Sequence, residues 1–145
     1  MKEIRVIHGP NLNLLGLREP GLYGKETLAE IDLQLQKEAV SLGFSVVSSQ
    51  HNDEVGIIEA IHRLRAQAAG LVINAAAFTH TSIAIRDALL ACESVFVEIH
   101  LTNLAKREQF RHNSYLTDIA LGSIMGFGAF GYVLALRALV NHLRR

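Results

Sequence analysis

The fold is constrained most by a regular alternation of short apolar runs and longer amphipathic segments along the chain. The apolar runs predict five β-strands, at residues 4–8, 44–50, 71–75, 95–100 and 121–125. The amphipathic segments predict α-helices, at residues 27–42, 53–68, 83–92 and 129–143. Strands that alternate with helices form parallel sheets, because each return to the sheet needs a crossover connection. We therefore predict an α/β fold with an open, doubly wound sheet of five parallel strands and helices on both faces.

Helix end signals support these boundaries. Thr27 opens a capping box, in which its side chain and a glutamate three residues later bond the first free N–H groups of a helix. Asn52 or Asp53 is predicted to cap the second helix. Gly43 and Gly70 are predicted to terminate the first and second helices.

The loop at residues 9–24 is long for so short a chain. It holds both prolines and four of the eleven glycines, together with Arg18 and Tyr23. Loops of this length without structure of their own are usually lids or binding loops. We predict that residues 17–25 form a mobile lid, which brings Arg18 and Tyr23 over a small, negatively charged substrate.

The composition suits one catalytic domain spanning residues 1–145. Half of the residues are hydrophobic and the formal net charge is zero, which disfavours both disorder and a nucleic-acid partner. No apolar run approaches the roughly 18 residues of a membrane span, and no leader precedes the first strand, so we expect a cytoplasmic protein without a membrane partner. The single cysteine, Cys92, is predicted to be a buried small residue in a reducing compartment.

Polar residues follow four of the predicted strands, at residues 9–13, 51, 74–80 and 100–103. In doubly wound sheets, ligands bind beyond the carboxyl ends of the strands, near the point where the strand order reverses. We therefore expect one concave site to gather these segments. Within them, Asn11, Asn13, Asn74 and Thr102 can bind a polyhydroxylated or carboxylated ligand, or can serve as turn residues that bond their own backbone.

Two groups of ionisable residues indicate acid–base chemistry. Glu98 and His100 are two residues apart on a strand, so their side chains leave the same face. The carboxylate can orient the imidazole as a general acid or base, although a self-satisfied buried pair is the alternative. The second group is Arg18, Arg107 and Arg111, which can surround an anion or stabilise a phenolate of Tyr23, while each alone is usually a solvated surface residue.

Neither a metal nor a dinucleotide is predicted. The histidines at positions 8, 51, 80 and 100 lack recognisable ligand spacing. Residues 126–131 match G-x-G-x-x-G, but no acidic residue follows Asp118 to hold a ribose, so close packing of the last helix explains these glycines better. That helix is apolar on many sides, which predicts that part of it covers another subunit.

Several motifs together resemble the type II 3-dehydroquinate dehydratases. The segments that carry the resemblance are residues 9–16 (Gly-Pro-Asn-Leu-Asn-Leu-Leu-Gly), 18–20, 23–24, 74–87, 98–103 and 107–112. The resemblance implies a flavodoxin-like fold and the reversible dehydration of 3-dehydroquinate to 3-dehydroshikimate, a step of the shikimate pathway towards chorismate and the aromatic amino acids. It also implies no cofactor, and a homododecamer of four trimers.

The resemblance also implies roles for individual residues. Tyr23 corresponds to the base that removes the proton next to the ketone, and Arg18 to the lid arginine that supports the transition state. Asn11 corresponds to the group that steadies the enolate, and His100, oriented by Glu98, to the acid that protonates the leaving hydroxyl. The implied binding residues are Asn74, His80, Leu101, Thr102 and Arg111, with Arg107 beside the tyrosine and Asp87 reaching the site of a neighbouring subunit.

The chain departs from the family pattern after the third strand. The usual Asn-Pro-Gly-Ala-Tyr is replaced by Asn-Ala-Ala-Ala-Phe at residues 74–78, which predicts an altered loop geometry. Val95 stands where proline is common, and Thr102 replaces a serine while keeping the hydroxyl. Two alternative functions are a flavodoxin-like ligand-binding module and another lyase acting on a small polyol or acid.

Overall fold

The computed structural model describes residues 1–65 and 67–145. The strands are β1 Lys2–His8, β2 Phe44–Gln50, β3 Gly70–Asn74, β4 Phe96–His100 and β5 Gly122–Met125. The helices are α1 Pro20–Tyr23, α2 Leu28–Ser41, α3 Glu54–Leu64, α4 Ile83–Ala91 and α5 Phe130–Leu143. All five predicted strands and all four predicted helices are present, with boundaries within a few residues of those predicted.

The five strands form one parallel sheet in the order β2-β1-β3-β4-β5. This is the flavodoxin-like order, in which the direction of winding reverses between β1 and β3. The predicted fold class is therefore confirmed. The carboxyl ends of β1, β3 and β4 lie side by side at one edge of the sheet, which is where ligands bind in such folds.

Helices cover both faces of the sheet and bury a separate apolar core on each. One core joins α2 and α5 to the sheet through residues that include Leu35 and Leu136. The other joins α3 and α4 through residues that include Ile61 and Leu89. Because both faces are buried, a polar group within β3 or β4 needs a partner inside the protein.

The helix caps agree with most of the predicted end signals. Thr27 and Glu30 form both bonds of the capping box at α2, and Asp53 rather than Asn52 caps α3 through the Gly56 N–H. The prediction for Gly70 is wrong. This glycine is the first residue of β3, and its Cα lies against Leu139 where a Cβ would come within 3.0 Å of the leucine side chain.

Two segments predicted as loop contain more helical structure than expected. Leu12–Leu14 forms a 3₁₀ turn and Pro20–Tyr23 forms the short helix α1, so Tyr23 lies at a helix end rather than in an irregular loop. The segment that carries Arg107 and Arg111 does not form one continuous helical turn. The structure has two 3₁₀ turns, Leu104–Lys106 and Gln109–Arg111, separated by extended backbone at Arg107.

Most of the apolar residues of α5 are covered within this chain, but Phe130 at the start of the helix is exposed. Its buried residues, which include Tyr132, Val133 and Leu139, pack against the sheet and α2. The predicted contact of this helix with another subunit stays a prediction. Gly131 packs as predicted, because a Cβ there would lie 2.7 Å from Ile99 Cδ1.

Cys92 is half-buried at the end of α4, not fully buried as predicted.

Across the described residues, none of the helices has the length and apolar character needed to cross a membrane.

The carboxyl ends of β1 and β3 are held together at Gly9. Its N–H donates a hydrogen bond of 2.7 Å to the Asn74 carbonyl, and a Cβ at this position would lie 2.6 Å from the carbonyl carbon and oxygen of Ala75. Real Cβ atoms do not approach backbone this closely. Glycine is therefore required where the loop leaves β1 and crosses the end of β3.

We predict that Gly9→Ala lowers the free energy of unfolding by about 2 kcal/mol, because the added methyl forces the two strand ends apart. Gly122→Ala on the edge strand β5 is the matched control, since no atom lies within 4 Å of the Cβ that it adds. The control is expected to change stability by less than about 0.5 kcal/mol. Urea unfolding at a fixed protein concentration measures both, and equal stabilities of the two variants would contradict the prediction.

Candidate active site

A cavity of about 240 Å³ opens at the carboxyl edge of the sheet, beside the β1–β3 reversal. Its volume is near the lower end of those typical of small-molecule sites. Ten of the twelve residues predicted for the site line it: Asn11, Arg18, Tyr23, Asn74, His80, His100, Leu101, Thr102, Arg107 and Arg111. The structure therefore gathers residues from five separate segments around one small, polar space.

Two guanidinium groups lie close to the Tyr23 side chain. The Arg18 guanidinium carbon is 4.9 Å from the centroid of the Tyr23 ring, and that of Arg107 is 5.6 Å away. Arg107 also donates a 3.2 Å hydrogen bond from Nη2 to the Tyr23 hydroxyl. Its other terminal nitrogen, Nη1, donates to Thr102 Oγ1 at 3.0 Å, which fixes the guanidinium plane. Two guanidinium groups therefore lie within contact distance of one phenol ring.

His100 and Glu98 form a buried pair at the end of β4. His100 Nε2 lies 2.7 Å from Glu98 Oε2, and Glu98 is fully buried. Because a carboxylate accepts but does not donate, Nε2 carries the hydrogen of this bond and Nδ1 is the ring nitrogen left for a ligand in the cavity. The Ser114 and Thr117 hydroxyls donate to the same carboxylate, to Oε2 and Oε1 respectively.

The Glu98 carboxyl is ionised in this environment. Burial favours its neutral form, but the hydrogen bond and charge of His100 and the hydroxyls of Ser114 and Thr117 outweigh burial. The pKa of Glu98 therefore lies below its ordinary value of 4.5. The carboxylate holds the His100 ring through Nε2, so Nδ1 is the ring nitrogen available for proton transfer.

The loop after β3 is fixed by Asn74. Its Oδ1 accepts a 3.1 Å hydrogen bond from the Ala76 N–H, and its Nδ2 donates to Tyr132 Oη at 3.2 Å. Ala76 has a φ of 51°, in the left-handed region where glycine is the favoured residue. Ala76 therefore occupies a left-handed turn position at which the family pattern commonly has glycine.

The floor of the cavity is held by an amide cluster at the ends of β1 and β2. Asn52 Oδ1 accepts from the Asn11 backbone N–H at 3.0 Å and from Gln50 Nε2 at 2.9 Å. Gln50 Nε2 also donates to the Gly9 carbonyl at 3.1 Å. These bonds support Asn11 in a left-handed conformation, with a φ of 69°, in which it lines the cavity.

His80 and Arg111 also line the cavity. His80 Nδ1 lies 2.9 Å from the Asn113 carbonyl, so Nδ1 carries a hydrogen and Nε2 is free for a ligand. Arg111 Nε donates to Glu108 Oε2 at 2.8 Å, which leaves its terminal nitrogens for an anion.

Several predicted residues lie outside the cavity lining. Glu98 lies behind His100, and Asp87 is exposed on α4, so its predicted role at a neighbouring subunit stays a prediction. Asn13 is exposed and accepts from Gln50, and His51 bonds Ser49 instead of joining the site. No group of three or more potential metal ligands is found among residues 1–65 and 67–145.

The supporting residues were missed from the sequence. Ser114 and Thr117, which bond Glu98, have no role in the sequence-based prediction. Gln50 and Asn52, which hold the floor, were assigned to a strand end and to a possible helix cap. Their hydroxyl and amide groups are common on protein surfaces, so no local pattern separates them from solvated residues.

The strand order and the cavity define a flavodoxin-like α/β protein with a small-molecule site that contains a tyrosine flanked by arginines and a carboxylate-backed histidine. A family model described as Dehydroquinase class II matches residues 2–140. The chain belongs to this family.

Named relatives and a solved structure agree with this assignment. The chain is 52% identical over 144 residues to a 3-dehydroquinate dehydratase of Stutzerimonas stutzeri (strain A1501), covering 99% of this chain and 98% of the relative. It is 50% identical to 3-dehydroquinate dehydratase 1 of Pseudomonas aeruginosa (strain PAO1), covering 100% and 99%. The type II dehydroquinase structure from Propionibacterium acnes superposes with a TM-score of 0.93 at 39% identity, covering 97% of each chain.

We predict that Ala76→Gly raises the free energy of unfolding by about 0.5 kcal/mol. The substitution removes the left-handed penalty of an L-residue, about 1–2 kcal/mol, and adds a smaller entropy to the unfolded chain. Ala77→Gly is the matched control in the same turn, where φ is not positive, and it should destabilise by about 0.5–1 kcal/mol. Thermal unfolding of both variants measures the difference, and a destabilised Ala76→Gly protein would contradict the strain at this position.

We predict that Glu98→Gln lowers the free energy of unfolding by about 2 kcal/mol at pH 7, because it weakens the charge-assisted bonds of the carboxylate. The pKa of Glu98 is depressed in the folded protein. Its stabilising contribution is therefore present above pH 4.5 and is lost as the pH falls through the lower folded value. The difference in free energy of unfolding between wild type and Glu98→Gln should shrink in that acid range.

Urea unfolding from pH 7 to pH 3.5 tests this dependence. Glu59→Gln on the exposed face of α3 is the control, and it should differ from wild type by less than about 0.5 kcal/mol. A Glu98→Gln deficit that stays constant over the whole range would show that the carboxylate charge contributes nothing.

Proposed function

We propose that this protein is a 3-dehydroquinate dehydratase that works through an enolate, with Tyr23 as base and His100 as acid. One observation carries the proposal: a tyrosine close to two guanidinium groups lines the same small cavity as a histidine backed by a buried carboxylate. Membership of the class II dehydroquinase family supports it. The reaction belongs to the shikimate pathway.

The first step removes the proton next to the ketone of the substrate. The Tyr23 phenolate takes this proton, and the C–H electron pair moves into the enolate. Arg107 bonds the phenol oxygen and Arg18 lies over its ring, so both cations stabilise the phenolate before the transfer. A positioned base of this kind contributes about 10²–10⁴-fold to a rate.

The second step expels the hydroxyl group. The enolate electrons form the new C=C bond as the C–O bond breaks, and the His100 imidazolium gives its Nδ1 proton to the departing oxygen, which leaves as water. Glu98 holds the ring and stabilises its positive form. Neutral donors suit the enolate oxygen, and Asn11 on the cavity floor is the candidate. The proton gained by Tyr23 then returns through solvent to His100.

Substrate binding is assigned to the remaining lining residues. The terminal nitrogens of Arg111 can bind the substrate carboxylate in a forked geometry. Asn74, His80 and the Leu101–Thr102 backbone offer hydrogen-bonding groups for the ring hydroxyls. No cofactor is needed, because the cavity supplies a base, an acid and cations for the developing charge.

Residues 17–25 are proposed to act as a lid over this cavity. They carry Arg18 and Tyr23, and Gly16 and Gly24 at the two ends of the segment have positive φ values of 89° and 93°. Closure excludes water and brings the base to the substrate in one movement. The dodecamer of four trimers, and with it the role of Asp87 at a neighbouring site, stays a prediction.

We predict that Tyr23→Phe lowers kcat for 3-dehydroquinate at least 100-fold, because the variant keeps the ring but has no base. The conjugated enone of 3-dehydroshikimate is followed by its ultraviolet absorbance. Tyr115→Phe is the matched control, since Tyr115 is half-buried and lies outside the cavity lining, and it should retain kcat within about twofold.

His100→Asn is expected to lower kcat by a similar factor, because the leaving hydroxyl loses its proton donor. Wild-type protein that forms no enone from 3-dehydroquinate would refute the proposed function. Full activity of Tyr23→Phe in an active wild-type background would refute only the assignment of the base.

A further inference from the structure

A chain of buried polar groups leads from Asn74 along the face of the sheet that α2 and α5 cover. Tyr132 Oη on α5 lies 3.2 Å from Asn74 Nδ2 and 2.8 Å from His8 Nδ1. His8 Nε2 lies 2.8 Å from Oδ1 of Asp32, a partly exposed residue on α2. His8 and Tyr132 are fully buried and Asn74 is 3% exposed, so water cannot replace these bonds. The proton transfers proposed for the reaction do not use these hydrogen bonds.

The first member of the chain has only one satisfactory orientation. The Ala76 N–H can only donate, and it donates to the Asn74 side-chain oxygen at 3.1 Å. The oxygen of the amide therefore faces Ala76, and the NH₂ group faces Tyr132. The opposite orientation would set the Ala76 N–H against the NH₂ group and leave two buried donors facing each other.

The donor and acceptor of each remaining hydrogen bond follow from this orientation of the Asn74 amide. Because Asn74 donates to Tyr132 Oη, the hydroxyl hydrogen of Tyr132 is free to go to His8 Nδ1, which is the acceptor nitrogen of the neutral ring. Nε2 of the same ring carries the hydrogen and donates to the Asp32 carboxylate. All hydrogens therefore run in one direction, from Asn74 through Tyr132 and His8 to Asp32.

We propose that Tyr132 and His8 are positioning residues that hold the Asn74 amide in a single orientation at the cavity. One Nδ2 hydrogen and one Oδ1 lone pair of Asn74 remain for a ligand, at fixed positions. Asp32 anchors the chain from the opposite end and fixes the His8 tautomer. This inference rests on the proposed function, in which Asn74 binds the substrate, and it adds residues that do not touch the substrate.

The kinetic test compares Tyr132→Phe alone with Tyr132→Phe in an Asn74→Ala background. Without the phenol oxygen, the Asn74 amide loses its partner, so KM for 3-dehydroquinate should rise about tenfold while kcat stays within about twofold. In the Asn74→Ala background the same substitution should change KM by less than about twofold, because no amide remains to be positioned. Tyr115→Phe, the control defined above, should leave both constants unchanged.

A merely structural role for Tyr132 gives a different pattern. A loss of kcat without a change in KM would overturn the proposal. So would an equal rise in KM with and without the Asn74 side chain, since the effect would then not pass through the amide.

A second measurement decides the hydrogen-bond directions without using activity. In ¹⁵N-histidine-labelled wild-type protein at pH 7, NMR should show His8 as the neutral tautomer with hydrogen on Nε2, its signal being assigned by its loss in His8→Asn. Hydrogen on Nδ1, or an imidazolium, would overturn the proposal. If the wild type does not dehydrate 3-dehydroquinate, the proposed function fails, while the tautomer still tests whether this chain orients Asn74.

Discussion

The site depends on the parallel alignment of β1, β3 and β4, whose carboxyl ends meet at one edge of the sheet. The contact that holds this edge together is the approach of Gly9 to the backbone of residues 74–75, too close for any side chain. It sets the loop after β1 directly above the end of β3. Without it, the floor of the cavity and the Asn74 turn would not face each other.

Two sets of polar groups lie at this edge of the sheet. Above the sheet, Arg18 and Arg107 surround Tyr23 with positive charge. Within the sheet, the polar residues His8, Asn74, Glu98 and His100 are buried, and each has a hydrogen-bond partner inside the protein. Since an unpaired buried polar group costs about 1–3 kcal/mol, these networks are as much a condition of folding as of function. Rigid supports of this kind let the groups that face the cavity keep fixed positions.

The sequence was most informative where local rules act. Apolar periodicity and the Thr27 capping box predicted the strands and helices. The motif resemblance predicted twelve site residues, and ten of them line the cavity. Prediction failed where structure depends on distant contacts. Gly70 had the form of a helix terminator but starts a strand against α5, and the Tyr132–His8 bond joins residues 124 positions apart. No pattern within a short window of sequence contains such a pairing.

The central claim is that Tyr23 removes the proton while His100 acts only afterwards, on the leaving group. Exchange in D₂O separates the two steps. The His100→Asn variant should still place deuterium on the carbon next to the ketone of 3-dehydroquinate, faster than it forms product, because its base is intact. Tyr23→Phe should place none. Mass spectrometry of recovered substrate measures both, and exchange by Tyr23→Phe at the wild-type rate would contradict the assignment of the base.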